Sequence, residues 1–190
     1  MPLIFHHNPN TMQKHWNLLL AVLFSWTLTS CTPDSPQKFF EQAVLNTNLV
    51  NDFDPKTFGK SLEQYTIEYP NVPASKKKGN EAQEVVNMKV LSVERALKNI
   101  KALSATDDET KAIKENSIAL FETVLPVYKN EYLQYAKLCD QKGPADQKAA
   151  LLDKIEQNYA PKVYELLDAL YQKGKVYAEK NNINVNWGRN

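Results

Sequence analysis

The chain has little glycine, five residues in 190, and two cysteines. With so few glycines it offers no glycine-rich loop to cradle a phosphate. No alternation of apolar and polar residues runs beyond a few positions, so nothing reads as a sheet. The longest apolar run, Leu18 to Leu28, is far shorter than the 18 or so residues of a membrane-spanning helix. An excess of one charge is also missing: 23 basic residues stand against 22 acidic ones. An evenly mixed surface excludes a nucleic-acid partner, which needs a basic excess over the phosphates. Histidine is confined to the N-terminal end, at His6, His7 and His15.

What is there begins with the N-terminal thirty residues. They hold one basic residue, Lys14, no acidic one, and the apolar run, and they close on Leu28-Thr29-Ser30-Cys31. The run has signal-peptide length and is followed by the turn-like Thr29-Ser30 and then Cys31-Thr32-Pro33. This stretch resembles the signal peptide and lipobox of bacterial lipoproteins. The resemblance implies cleavage before Cys31, acylation of Cys31, and a membrane partner through that lipid anchor. More than one acyl chain is what makes such an anchor stable. Thr32, being non-acidic, points to the outer membrane rather than the inner one.

Removal of residues 1–30 leaves a neutral chain with no histidine. That removes the usual general base, the Ser-His and Cys-His arrangements, and most zinc, haem and di-iron ligand sets. No loop has calcium-ligand spacing. The expectation is therefore a protein that is not an enzyme and has no cofactor and no metal. With Cys31 acylated, Cys139 stands alone and reads as a small buried hydrophobe.

The remaining sequence is a series of capped amphipathic runs, which predicts an all-α fold: an antiparallel, up-down four-helix bundle with kinked long helices. Residues 31–35 form the lipidated cysteine and a short tether, 36–182 the bundle, and 183–190 a C-terminal tail. Ser35-Pro36 starts a helix to about residue 53, and Asp54-Pro55 kinks and restarts it to about Tyr65. Residues 66–80 form a loop whose Lys76-Lys77-Lys78 triplet is a solvated tip or, on a sharper reading, a contact for lipid phosphates. A second helix spans about 81–103. Thr106 and Glu109 have capping-box spacing ahead of a third helix over about 107–139, with Pro126 inside it. After Gly143-Pro144 the last helix runs to about 180, with Pro161 inside it.

Folding the last two helices on each other brings Pro126 and Pro161 within about a turn. The bends then curve together, or they widen a spot that admits an apolar ligand lined by Tyr128, Tyr159 and Tyr164. The chain as a whole loosely resembles small helical surface lipoproteins. Two functions follow: a lipid-anchored interaction module of the cell envelope that binds an envelope or surface protein, or a binder of a small apolar ligand between the two C-terminal helices.

Overall fold

Local capping decides where the helices begin. Ser35 accepts a hydrogen bond from the Lys38 N–H at 3.2 Å and precedes Pro36, so α1 (Pro36–Ala43) starts with a side-chain cap and a residue that has no N–H to satisfy. Asp54 caps α2 (Pro55–Tyr65) in the same way, accepting from the Thr57 N–H at 2.7 Å. The computed structural model describes residues 34–187, and all the regular structure among them is helical. After α1 and α2 come α3 (Glu81–Ala102), α4 (Asp108–Val127), a π turn (Tyr128–Tyr132), α5 (Leu133–Asp140), α6 (Ala145–Asn158) and α7 (Ala160–Lys180). Short 3-10 turns cover Leu45–Val50 and Pro73–Ser75. The signal-like segment with Cys31, and residues 188–190 of the tail, lie outside the described residues.

Four boundaries differ from the sequence reading. The first helix stops at Ala43 and gives way to the Leu45–Val50 turns. There the Thr47 hydroxyl donates to the Val44 carbonyl at 2.7 Å and Asn46 Nδ2 to the Gln42 carbonyl at 3.0 Å, side chains competing for the groups an α-helix would use. The capping box is Asp107 with Thr110, whose N–H donates to Asp107 Oδ1 at 2.8 Å while the Asp107 N–H donates to Thr110 Oγ1 at 3.3 Å. Thr106 therefore sits one residue outside the cap, and Glu109 instead pairs with Lys180 at 2.6 Å. The third helix is interrupted by the π turn at Tyr128–Tyr132, just past Pro126. The last breaks at Tyr159, so Pro161 lies in the first turn of α7, where a proline is well accommodated, and not inside a continuous helix.

The long helices run antiparallel. Glu94 pairs with Lys129 at 2.5 Å, Lys101 pairs with Glu122 at 2.6 Å, and the Ala82 N–H donates to Asp140 Oδ1 at 2.9 Å. Numbers rising along α3 meet numbers falling along α4 and α5. Lys180 with Glu109, and Lys173 Nζ donating to Asn116 Oδ1 at 2.8 Å, show the same for α7 against α4. Asn116 also donates to the Leu166 carbonyl at 2.8 Å, so this buried amide is satisfied on both sides.

The core lies between these rods and the α1–α2 segment folded across them. Its centre is aromatic. Phe53 meets Tyr128 and Tyr132 edge-on at 5.7 and 5.8 Å, and Phe58 meets Tyr132 at 4.8 Å. Each such ring contributes on the order of 1.5–3 kcal/mol by burial, with a further ~0.5–1.5 kcal/mol per edge-to-face pair. Two glycines inside helices are explained by close approach. A Cβ on Gly59 would lie 3.0 Å from Leu152, and one on Gly174 would lie 2.7 Å from Val44.

Candidate functional site

The three tyrosines singled out from the sequence go to three different places. Tyr128 is fully buried, and its hydroxyl has no hydrogen-bond partner among the described residues. Burial first, and Asp52 next, hold its phenol well above the usual range. Tyr159, at the break between α6 and α7, donates to Glu131 Oε1 at 3.0 Å, and this bond pushes its phenol up. Lys154 reaches the same carboxylate oxygen at 3.0 Å, so the buried Glu131 has a paired charge. Tyr164 is exposed on α7, with its hydroxyl 3.4 Å from Asp54 Oδ2. Burial, followed by the charges of Asp54 and Glu156, pushes it up to about 12.

Of the three, Tyr164 lines a cavity, an open groove of about 690 Å³. One wall is the Leu45–Val50 turns with Asn51, and the other is the face of α7 carrying Tyr164, Asp168 and Tyr171. The chain after α7 closes one end. Asn182 adopts φ +54°, and the Ile183 N–H donates back to the Ala178 carbonyl at 2.8 Å, a left-handed C-cap that turns the chain across the bundle. Trp187 then packs edge-on against Phe40 at 5.8 Å and Tyr171 at 6.0 Å. The segment after residue 182 is therefore docked as far as it is described. A short polar chain crosses the groove: the Tyr171 hydroxyl donates to Asn51 Oδ1 at 3.0 Å, and Asn51 Nδ2 donates to Asn48 Oδ1 at 3.0 Å.

A second surface lies around the start of α3. Met88 is 64% exposed, and with Tyr65 and Val85 it flanks a shallow groove of about 540 Å³. Ile67, Tyr69 and Val72 are exposed in the loop that follows α2. Ser75 organises that loop, accepting from the Tyr69 N–H at 2.8 Å and donating to the Val72 carbonyl at 2.6 Å. The Lys76-Lys77-Lys78 triplet follows directly. Here Glu68 accepts from the Lys77 N–H at 2.9 Å, and Glu81 accepts from the N–H groups of Lys78, Gly79 and Asn80. The two carboxylates offset part of the triplet's charge.

Cys139 is buried, and burial, with Lys148 opposing and Glu63 reinforcing it, pushes its thiol up to about 11. A thiol so placed is a poor nucleophile. Among the described residues no cluster of three or more His, Cys, Asp or Glu side chains is arranged to hold a metal, and no helix is long and apolar enough to cross a membrane. No family model matches the chain, and neither a curated protein nor a solved structure is significantly similar to it. The class of the described residues is thus an all-α domain with a polar groove on one face and an exposed apolar surface at one end.

Proposed function

We propose that this chain is a lipid-anchored interaction module of the bacterial cell envelope, acylated on Cys31, seated on the outer membrane more readily than the inner, and without catalytic activity. Its body is read as a four-helix up-down bundle, with residues 36–65 as the kinked first rod and 81–102, 108–140 and 145–180 as the other three. The antiparallel pairings of α3 with α4 and α5, and of α4 with α7, support that topology.

One observation carries the functional reading. Asp34, three residues after Cys31, is pinned to one end of the domain: it pairs with Lys38 at 2.7 Å, and its Oδ2 accepts from the Ser104 N–H at 2.8 Å. Ser104 follows the C-terminal end of α3. The apolar surface of Tyr65, Val85 and Met88 lies along the N-terminal half of the same helix. A helix of 22 residues is about 33 Å long at 1.5 Å per residue. A lipid on Cys31 would hold the Asp34 end at the bilayer and present the apolar surface away from it, to a protein partner in the envelope. The lysine triplet precedes the N-terminal end of α3, opposite the end that holds Asp34. Tyr128 lies in the core, Tyr159 is bonded to Glu131 and Tyr164 lines a groove against the Leu45–Val50 turns, so the three do not line one spot, which disfavours the apolar-ligand reading.

Metabolic labelling with a fatty-acid analogue tests the anchor. Label on the wild-type chain and none on Cys31→Ala is the expected result. An unlabelled wild type, or equal label on both, overturns the proposal.

A further inference from the structure

We propose that the groove between the Leu45–Val50 turns and α7 is a binding site for an uncharged saccharide. Its volume of about 690 Å³ lies within the range of small-molecule sites, about 300–1,000 Å³. The chemistry of its walls selects the ligand class. Asn48, Asn51 and Asp168 supply amide donors, amide acceptors and a carboxylate acceptor, and each of these can bridge neighbouring hydroxyls of a sugar ring.

Two of the polar groups are already oriented. The bond from the Tyr171 hydroxyl to Asn51 Oδ1 fixes that amide, and Asn51 Nδ2 in turn fixes the Asn48 carbonyl at 3.0 Å. The ordering cost of those side chains is met before a ligand arrives. Tyr164 and Tyr171 lie seven residues apart on α7, two turns or about 10.5 Å along the axis. Both line the groove, with Asp168 between them and Trp187 at its end. Aromatic rings so far apart match two sugar rings of one oligosaccharide that are not adjacent, while the amides take the hydroxyls of the ring between them.

Charge excludes the competing classes. Asp168 is the one ionised side chain among the lining residues, and no lysine or arginine lines the groove. A phosphate, sulfate or carboxylate ligand would meet the Asp168 carboxylate, and the Lys175 ammonium beside the groove is already placed over the Trp187 ring, 6.0 Å from its centroid. A purely apolar ligand would strip water from Asn48, Asn51 and Asp168 without replacing its hydrogen bonds. The groove is the same whether or not Cys31 carries lipid.

The test is an array of neutral oligosaccharides (gluco-, manno- and chito-oligosaccharides) beside sulfated ones. The array is probed with the full chain in a detergent that has no sugar headgroup, and hits are titrated by calorimetry. The expected result is saturable binding of at least one neutral oligosaccharide. Asn48→Ala and Tyr164→Ala should each weaken it about tenfold or more, the scale of one lost hydrogen-bonded or stacked partner, and Lys98→Ala on a distant face should leave it unchanged. Asn48 and Tyr164 are exposed, so the variants keep the fold, which circular dichroism checks. The proposal is overturned if no neutral oligosaccharide titrates at millimolar concentration, if sulfated ones bind better, or if both variants bind as the wild type does.

Discussion

Asp140 is the residue whose removal tests the packing argument most directly. It ends α5, yet its carboxylate caps a different helix: Oδ1 accepts from the Ala82 N–H at 2.9 Å, and Oδ2 accepts from the Gln83 N–H at 3.1 Å and from Gln83 Nε2 at 3.0 Å. Asn80, at the local cap position of α3, makes no side-chain capping bond, so the first turn of α3 depends on a carboxylate from 57 and 58 residues further along the chain. Losing an ordinary N-cap costs about 0.5–2 kcal/mol, and bonds to a charged acceptor lie at the upper end of the hydrogen-bond range, about 1.5–3 kcal/mol. Asp140 is half-buried, so water replaces part of what is lost; Ala82 is fully buried and can recover less. Asp140→Ala should therefore cost about 2–3 kcal/mol. At about 2–4 °C per kcal/mol for a domain of this size, the melting temperature should fall by roughly 4–12 °C. Asp140→Asn keeps one acceptor and should lose about half as much. Urea unfolding followed by circular dichroism reads both, with an unchanged m-value expected because the surface exposed on unfolding is the same. An Asp140→Ala protein with the wild-type midpoint would refute the idea that this long-range cap holds α3 against α5.

Four further outcomes can be measured on the same material. Gly174→Ala should destabilise by about 1–3 kcal/mol despite the better helix propensity of alanine, since its Cβ would lie 2.7 Å from Val44 Cγ1; an unchanged or raised midpoint would contradict that contact. Lys142, at φ +53°, sits in the left-handed position at the end of α5, and Lys142→Gly should raise stability by about 0.5–1 kcal/mol once the extra freedom of the unfolded chain is subtracted. The Cys139 thiol, raised by burial to about 11, contributes stability that is whole below its unfolded pKa of about 8.5 and is lost as pH rises through 11. Cys139→Ala should therefore flatten the decline in stability between about pH 9 and 10, and identical slopes in both proteins would remove the thiol as its cause. At the acid end, Asp34 is held below its usual range first by the hydrogen bond from Lys38 and then by the Ser104 N–H. Asp34→Asn should lose stability relative to wild type at neutral pH, with the gap closing as pH falls below about 4 and the wild-type carboxyl itself takes up its proton.

Helix identity was legible in the sequence because it rests on local patterns. The stripe Ala82, Val86, Val93, Leu97, Ile100 is buried along α3, and the pairs Ser35-Pro36 and Asp54-Pro55 cap α1 and α2. Breaks inside helices were less so. Tyr159 marks the end of α6 with no signal beyond the proline two residues on, and Pro161 serves equally well as a kink or as a first-turn residue. The cap one residue late at Asp107 has a similar origin: Thr106 and Asp107 are both good caps, and the choice falls to the one whose partner, Thr110, returns the bond.

The groove was the least legible feature, for a geometric reason. Its polar chain joins Asn48 and Asn51 to Tyr171, 120 residues from Asn51, and its end is closed by Trp187. Asn48, Asn51 and Tyr171 taken alone read as side chains with a polar end in water, and no spacing in the sequence connects them. Gly174 is the sequence feature nearest to a signal. A glycine inside an otherwise sound helix marks a place where something approaches closely, and here it is Val44, with Trp187 3.5 Å from the same Cβ position. Gly174 lets the end of α1 and the docked tail settle onto α7, and that settling forms the corner where the groove ends. A β-carbon at residue 174 would force Val44 to shift and would itself touch the Trp187 ring at ordinary contact distance. Gly174→Ala should accordingly perturb the surroundings of Trp187 as well as stability, a joint effect that a purely local helix defect would not produce.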